Sequence, residues 1–316
     1  MVEGPIVVVA DPIDAEAIDR LRTGPCRVVD ASKDSGALAS HLAEAWGLIV
    51  RSRTRVNSEL IAQAPHLKLI ARAGVGVDNV DLRAASARGI QVVNAPVAAT
   101  VSVAELTVAF CLLLARGFYP QVVATKAGRW ERGTHGHEIA GKTVGLVGYG
   151  HIGREVARRL VPFGVSLIAY DPFVTRTGDA TELVSLEDLF RRSDLISLHA
   201  ALTPENHHLI GAAAFERMKP GVLLVNVARG PLIDEAALLE ALRWGRIGGV
   251  ALDVFELEPP KNRELLEHPN VIATPHIGAS TLEAQRRAGT DIVEEVLHAL
   301  QGEPLATLVA PVGGAR

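Results

Sequence analysis

The stretch VGLVGYGHIG, Val144 to Gly153, decides how the rest of the chain is read. Its glycines Gly148, Gly150 and Gly153 are spaced G-x-G-x-x-G. An apolar, β-branched run precedes them, and IGREVARRLVPF (Ile152 to Phe163) follows with its apolar residues at helical spacing. In a strand–turn–helix of this kind the first glycine permits the tight turn and the second lets backbone approach a pyrophosphate. The third lets helix pack on strand. Free N–H groups at the helix start would then face the anion.

Such a turn also occurs without a ligand, so its surroundings have to decide. The next apolar run, VSLIAYD, ends in Asp171, 18 residues after Gly153. A carboxylate at that distance suits the hydroxyls of an adenosine ribose. It would repel a 2′-phosphate, which favours NAD over NADP, with Arg176 the only cation nearby. An adenosyl cofactor of a methyltransferase could use the same turn and acid, so the chemistry has to come from elsewhere in the chain.

Composition narrows the classes. With 316 residues, 48% hydrophobic and 22% charged, the chain is long enough for two domains with separate cores. A formal net charge of −4 gives no broad basic footprint for nucleic acid or an anionic membrane. Cys26 and Cys111 are too few for a disulfide framework or a thiolate metal site. MVEGPIVVVADP reads as a first strand and not as a signal peptide, and the apolar run Leu106 to Ala115 is short of the roughly 20 residues that span a bilayer. A cytoplasmic protein with no membrane or nucleic-acid partner is expected.

Short apolar runs alternate with helical segments: residues 6–9, 48–50, 69–71, 92–93, 144–147, 167–170, 195–198, 222–225, 250–252 and 271–273. They are apolar throughout, as parallel strands covered on both faces are, so the fold class is α/β. Ser102-Val-Ala-Glu105 and Ser280-Thr-Leu-Glu283 both fit a capping box at a helix start, and Gly302 fits a stop. These helices mark boundaries. Residues 1–98 and 281–316 are expected to form one domain and 99–280 an inserted nucleotide domain, which explains a glycine turn at mid-chain.

Three further stretches follow strand ends in the second domain, where an open α/β sheet keeps its ligand crevice. NVARGPLIDE presents Arg229, GVALDVFELEPP presents Asp253, Glu256 and Glu258, and TPHIGAST presents His276. Each alone has an ordinary structural reading: an arginine on a helix end, a solvated glutamate, a satisfied histidine. Their order and spacing after the glycine turn are far more specific than any one of them alone. No metal is expected, and His135, His137, His207 and His208 read as surface loop residues.

LIVRSRTRV, RAGVGVDNVDL, AELTV, GRWER, GYGHIG, ARGPLIDE, ALDVFELEPP and PHIGAST together make the chain resemble the D-isomer-specific 2-hydroxyacid dehydrogenases over nearly its whole length. Within that family it is most similar to short D-3-phosphoglycerate dehydrogenases. The resemblance implies two doubly wound parallel-sheet domains, a Rossmann NAD-binding domain inserted into a flavodoxin-like substrate domain, and a homodimer through the former. It implies Arg229, Glu258 and His276 as the catalytic triad. NAD contacts carry over to Val75, Gly148, Gly150, His151, Ile152, Gly153, Asp171, Ala200, Val227, Ala228, Asp253 and Gly278. The substrate carboxylate falls to the backbone of Gly74, Val75 and Gly76, and a distal phosphate to Arg51 and Ser52. Arg53 and Arg55 follow Arg51 at period two, which leaves a solvated face as the other reading of Arg51.

The chain also departs from the family pattern. Ala98 and Ala99 replace a glycine and an asparagine, Gly133-Thr134-His135-Gly136 replaces basic residues after GRWER, and Ala201 and Asn206 stand where Pro and Thr are usual. No regulatory domain is expected after residue 316. The expected activity is NAD-dependent interconversion of a D-2-hydroxy acid and its 2-oxo acid, with 3-phosphoglycerate or a related phosphate or phosphonate acid as substrate. The alternatives are a glyoxylate- or hydroxypyruvate-type reductase and a non-enzymatic, NAD-sensing corepressor like the C-terminal-binding proteins.

Overall fold

The computed structural model describes residues 4–130, 132 and 135–310. They divide into two compact units, residues 1–99 with 279–316, and residues 100–278.

In the first unit β1 (Ile6–Val9), β2 (Arg27–Asp30), β3 (Ala45–Val50), β4 (Leu69–Arg72) and β5 (Gln91–Asn94) form a parallel sheet in the order β2-β1-β3-β4-β5. That is the flavodoxin-like order. Helices α1 (Ala15–Arg22), α2 (Ser35–His41), α3 (Ser58–Ala62) and α4 (Leu82–Ala87) connect the strands. Alternate residues serve opposite faces: Val7 and Val9 enter one core cluster with Leu21, and Val8 enters another with Leu48 and Ile70. Both faces are therefore dry, which is why these strands lack polar alternation. The edge strand β2 is the exception. Its RVVD is only partly covered, so it carries no apolar run to announce it.

The second unit opens with α5 (Thr100–Ala115) and α6 (Phe118–Lys126), followed by β6 (Thr143–Val147), α7 (His151–Leu160) and β7 (Ser166–Tyr170). After them come β8 (Glu182–Leu183), α8 (Leu186–Arg192), β9 (Leu195–Leu198), α9 (Ala212–Arg217), β10 (Val222–Asn226) and α10 (Glu235–Arg243). β11 (Ile247–Leu252), α11 (Arg263–Glu267) and β12 (Val271–Ala273) complete it. The parallel sheet runs β12-β11-β10-β9-β6-β7-β8, so the order reverses between β6 and β9. This is the Rossmann arrangement, and the reversal is where such sheets bind nucleotides. The glycine turn leaves the end of β6 at that point.

Helix α5 starts at Thr100, two residues before the expected capping box. Ser102 is buried inside its first turn and does not cap it, because the backbone is already helical by Thr100. The C-terminal helix α12 (Leu282–Gln301) is shifted by one. Thr281 is its N-cap, with Oγ1 accepting the Ala284 N–H at 3.1 Å, so Ser280 lies outside the helix. Gly302 ends it at φ 72°, a conformation that glycine adopts without a steric cost. Its apolar stripe, Ile292, Val293, Val296 and Leu297, completes the first unit's core around Val7 and Val9. No single helix among the described residues is long and apolar enough to cross a membrane, although α5 and α6, bent by 72°, pass that test as a pair.

Candidate active site

Three strand-end loops of the second unit carry the expected catalytic residues. After β10, the buried Asn226 accepts the Ala228 N–H at 3.0 Å and donates to the Arg229 carbonyl at 2.9 Å. That bridge fixes the backbone from which Arg229 projects, and Nη1 of Arg229 donates to the Ala228 carbonyl at 2.7 Å. Gly230 follows because nothing larger fits: a Cβ there would lie 1.8 Å from the Phe255 carbonyl carbon and 2.4 Å from the Glu256 nitrogen. The Arg229 turn is thus pressed onto the backbone of the loop that carries Glu258.

After β11, Asp253 is buried and accepts three hydrogen bonds from the turn after β12. The Thr274 hydroxyl (2.6 Å) and the Ile277 N–H (2.8 Å) go to Oδ1, and the Gly278 N–H (2.8 Å) to Oδ2. This sets the path of the backbone through His276, which takes a left-handed φ of 55°. Nδ1 of His276 lies 2.9 Å from Oε2 of Glu258, and Oε1 of Glu258 accepts the Phe255 N–H at 3.3 Å. Both side chains remain about half exposed, at 51% and 41%. A histidine whose Nδ1 is held by a carboxylate keeps Nε2 for a proton in transit. A cavity of about 420 Å³ borders the pair, with Phe255, Pro259, Leu266 and Pro275 among its walls.

The glycine turn passes a direct test of its fit to a nucleotide. Gly148, at φ 96°, leaves no room for a Cβ, which would meet the Ala200 nitrogen at 2.7 Å. A Cβ on Gly153 would meet the Gly148 oxygen at 2.3 Å. At Gly150 a Cβ would meet nothing within 4 Å, and no side chain caps the start of α7. Close packing on either side with open space over an uncapped helix N-terminus is the shape that a pyrophosphate needs. Asp171 ends β7 with Oδ2 accepting the Tyr149 N–H at 2.8 Å and Oδ1 the Phe173 N–H at 2.9 Å.

In the first unit, the turn after β3 is organised by Asp11, which is only 1% exposed. Its carboxylate accepts the amides of Arg51 (2.7 Å) and Thr54 (3.0 Å), the Thr54 hydroxyl (2.7 Å) and Nε of Arg53 (3.3 Å). Burial pushes this carboxyl up, but the Thr54 hydroxyl and the two amides outweigh it and hold it below the usual carboxylate range. Arg53 is therefore a structural ion pair. The chain bends at residues 52–54, which turns Arg53 to Asp11 and leaves Arg55 exposed. The Arg51 guanidinium makes a long contact of 3.4 Å to the Pro12 carbonyl, and Ser52 is exposed. In the loop after β4, Gly74 takes φ 152° and its N–H donates to the Arg72 carbonyl at 2.8 Å. Its amide therefore has a partner within the chain, which leaves the amides of Val75 and Gly76 as the candidates for an anion. Ala98 and Ala99 are buried, and Gly133 and Thr134 lie outside the described residues.

Residues 108–278 match the model of the D-isomer specific 2-hydroxyacid dehydrogenase NAD binding domain. The chain belongs to the D-isomer specific 2-hydroxyacid dehydrogenase family.

It is 45% identical over 299 residues to a hydroxypyruvate reductase of Thermotoga maritima, covering 93% of this chain and 98% of that protein. It is also 45% identical over 315 residues to the D-3-phosphoglycerate dehydrogenase of Mycobacterium tuberculosis, covering 98% of this chain and 60% of that longer protein. Among solved structures, the TT0316 protein of Thermus thermophilus superposes with a TM-score of 0.87 at 36% identity, covering 96% of this chain and all of that one. As a member of this family the protein is an NAD-dependent dehydrogenase of 2-hydroxy acids, built as two parallel-sheet α/β domains.

Several features of this dehydrogenase escape a reading of its sequence. Tyr149 occupies a variable position of the glycine motif, yet it is fully buried. Its hydroxyl donates to Asp179 at 2.6 Å and accepts from the Thr181 hydroxyl at 2.9 Å, tying the loop after β7 to the glycine turn. Burial and the Asp179 carboxylate push its phenol up to about 12. His199 follows β9 against Gly148, with Nε2 2.9 Å from the Ser197 hydroxyl and Nδ1 enclosed without a partner. Burial pushes its imidazole down to about 3.

Because the folded state disfavours protonated His199, the unfolded chain binds the extra proton between about pH 6.5 and 3. The resulting stabilisation is full above pH 6.5 and is lost as pH falls. Between pH 6.5 and 5 the protein should lose about 2 kcal/mol more than His199→Gln in urea unfolding. Identical pH dependence of the two would place the ring in contact with water.

Proposed function

We propose that this dehydrogenase interconverts a D-2-hydroxy acid bearing a second anionic group with its 2-oxo acid, with 3-phosphoglycerate or a related phosphate or phosphonate as substrate. The observation that carries the chemistry is the His276–Glu258 pair at 2.9 Å, in a loop packed on the turn of Arg229. His276 takes the hydroxyl proton at Nε2, and Glu258 stabilises the imidazolium that results. Arg229 forks onto the substrate carboxylate and polarises the neighbouring oxygen. Within the first unit, the amides of Val75 and Gly76 are the candidates for a carboxylate, and Arg51 and Ser52 for a second anionic group. The open start of α7 at Gly150, His151, Ile152 and Gly153 would hold the pyrophosphate of NAD and Asp171 its ribose, and the bound cofactor would supply the hydride acceptor. Ala200, Val227 and Ala228 line the strand ends around it. Asp253 and Gly278 serve that site by holding the His276 turn.

The reading includes a homodimer through the second unit and a cytoplasmic location. The dimer is supported by Phe118, Tyr119 and Val123 of α6, apolar and about half exposed beside the partly exposed Leu112, Leu113 and Leu114 of α5. The location is supported by Cys26 and Cys111, both free thiols as a reducing compartment keeps them.

NADH oxidation with phosphohydroxypyruvate, hydroxypyruvate and glyoxylate tests the substrate. The phosphorylated acid should turn over with the highest kcat/KM. Preference for an unsubstituted acid makes this a hydroxypyruvate- or glyoxylate-type reductase, and turnover of none of them leaves the NAD-sensing corepressor. Arg51→Ala should raise KM for the phosphorylated acid roughly 10- to 150-fold, the worth of about 1.5–3 kcal/mol for a charged hydrogen bond. Its kcat should change little if the contact is equal in ground and transition states. Equal losses for glyoxylate would make Arg51 structural. With Asp171 at the end of β7, kcat/KM for NAD should exceed that for NADP by at least about tenfold. Equal efficiency removes Asp171 from the ribose.

A further inference from the structure

Among the described residues, two that are not glycine hold a left-handed backbone: His276 at φ 55° and His208 at φ 54°. That conformation is unfavourable for a residue with a Cβ and persists where surrounding contacts impose it. His276 belongs to the proton-transfer pair. His208 has no part in the site described so far, and its neighbours show what imposes its conformation.

His208 lies between a short 3₁₀ turn (Pro204–Asn206) and the parallel bridge of Ile210 with Ile233. Its N–H donates to the Pro231 carbonyl at 2.8 Å, two residues past Arg229. Its ring Nε2 stands 3.3 Å from Oε1 of Glu256 and Nδ1 stands 4.0 Å from Oδ2 of Asp234. At this close approach to Glu256, Nε2 has no aligned hydrogen-bond acceptor. The His207 ring packs on it with centroids 4.0 Å apart. The same Glu256 oxygen accepts the Glu235 N–H at 2.8 Å, and the Glu256 N–H donates to Oε1 of Glu235 at 2.7 Å. Burial raises the Glu235 carboxyl above its usual range, the Glu256 amide opposes that, and the Glu256 charge adds to it.

This reciprocal clasp joins the start of α10 to the loop of Glu258, two residues beyond Glu256. The close approach of Gly230 to Phe255 joins the same two segments at a second point. We propose that His208 is a positioning residue: drawn to Glu256 and Asp234, it braces the clasp that sets the Glu258 loop against the Arg229 turn. The inference rests on the assignment of proton transfer to His276 and Glu258.

Two substitutions separate this role from a structural one. His208→Gly removes the ring while glycine keeps φ 54° without a steric cost. His208→Asn also tolerates that backbone and restores an N–H donor. In His208→Gly, kcat should fall about tenfold, as for a small displacement of catalytic groups. NADH affinity by fluorescence and the melting temperature should hold, and His208→Asn should recover most of the loss. Glu256→Gln should lose turnover in the same way, and the double variant His208→Gly/Glu256→Gln should lose no more than either single one. In parallel, NMR of the Nδ1 proton that His276 shares with Glu258 should show it broadened in His208→Gly and restored in His208→Asn, with no substrate needed. Unchanged kcat and proton signal in His208→Gly, additive losses, or failure of both His208→Gly and Glu256→Gln to fold would each overturn the proposal. If His276→Asn itself retains turnover, the proton-transfer reading fails instead.

Discussion

His276→Asn should lower kcat by roughly a hundred- to ten-thousandfold, the usual worth of a positioned acid–base group. Asparagine tolerates the left-handed backbone at this position, so the turn held by Asp253 should survive. NADH binding, proposed for the glycine turn and Asp171, should therefore remain while turnover disappears. Glu258→Gln tests the partner. The glutamine keeps the shape of the 2.9 Å contact to Nδ1 but removes the carboxylate's charge from it. The kcat should fall while NADH binding holds. An unchanged rate would leave Glu258 out of the reaction, and full activity in His276→Asn would place the base elsewhere.

The second large effect should come from Gly230→Ala. The added Cβ would sit 1.8 Å from the carbonyl carbon of Phe255, 1.9 Å from its oxygen and 2.4 Å from the nitrogen of Glu256. All three are backbone atoms, so no rotamer change relieves the clash and one loop has to move. Overpacking of this kind costs about 3 kcal/mol or more. For a unit of this size that lowers the melting temperature by roughly 6–12 °C. Turnover should fall as well, because the moving segments carry Arg229 and Glu258. Gly150→Ala is the control. Its Cβ would meet nothing within 4 Å, so stability should hold while the methyl occupies the space over α7 and weakens NADH binding. A normal melting temperature and normal turnover in Gly230→Ala would mean that the two loops are not fastened together there.

These expectations draw unequally on sequence and structure. The α/β class was legible because β1, β3, β4, β6, β7, β9, β10, β11 and β12 are apolar on both faces. β2 and β8 were not: β2 has no fully buried residue and β8 is two residues long, whereas the edge strands β5 and β12 keep an apolar run. Helix starts were misplaced by one and two residues. Several Ser and Thr stand near each start, and which hydroxyl reaches which amide depends on where the chain turns, as Thr281 does for Ala284.

The same division runs through the site. By itself the sequence determined the family, the glycine turn with its acid, and Arg229, Glu258 and His276 as candidates, because residue types at fixed spacing after strand ends are local facts. Only the tertiary structure decided how Asp253 directs the His276 turn, how Asp11 organises Arg51, and that His208, which the sequence suggests is a surface residue, faces Glu256. These partners lie 23, 40 and 48 residues apart in the chain. A hydrogen bond or charge contact acts over about 3 Å, and spacing along the chain carries no information about such contacts until the strands are ordered in their sheets.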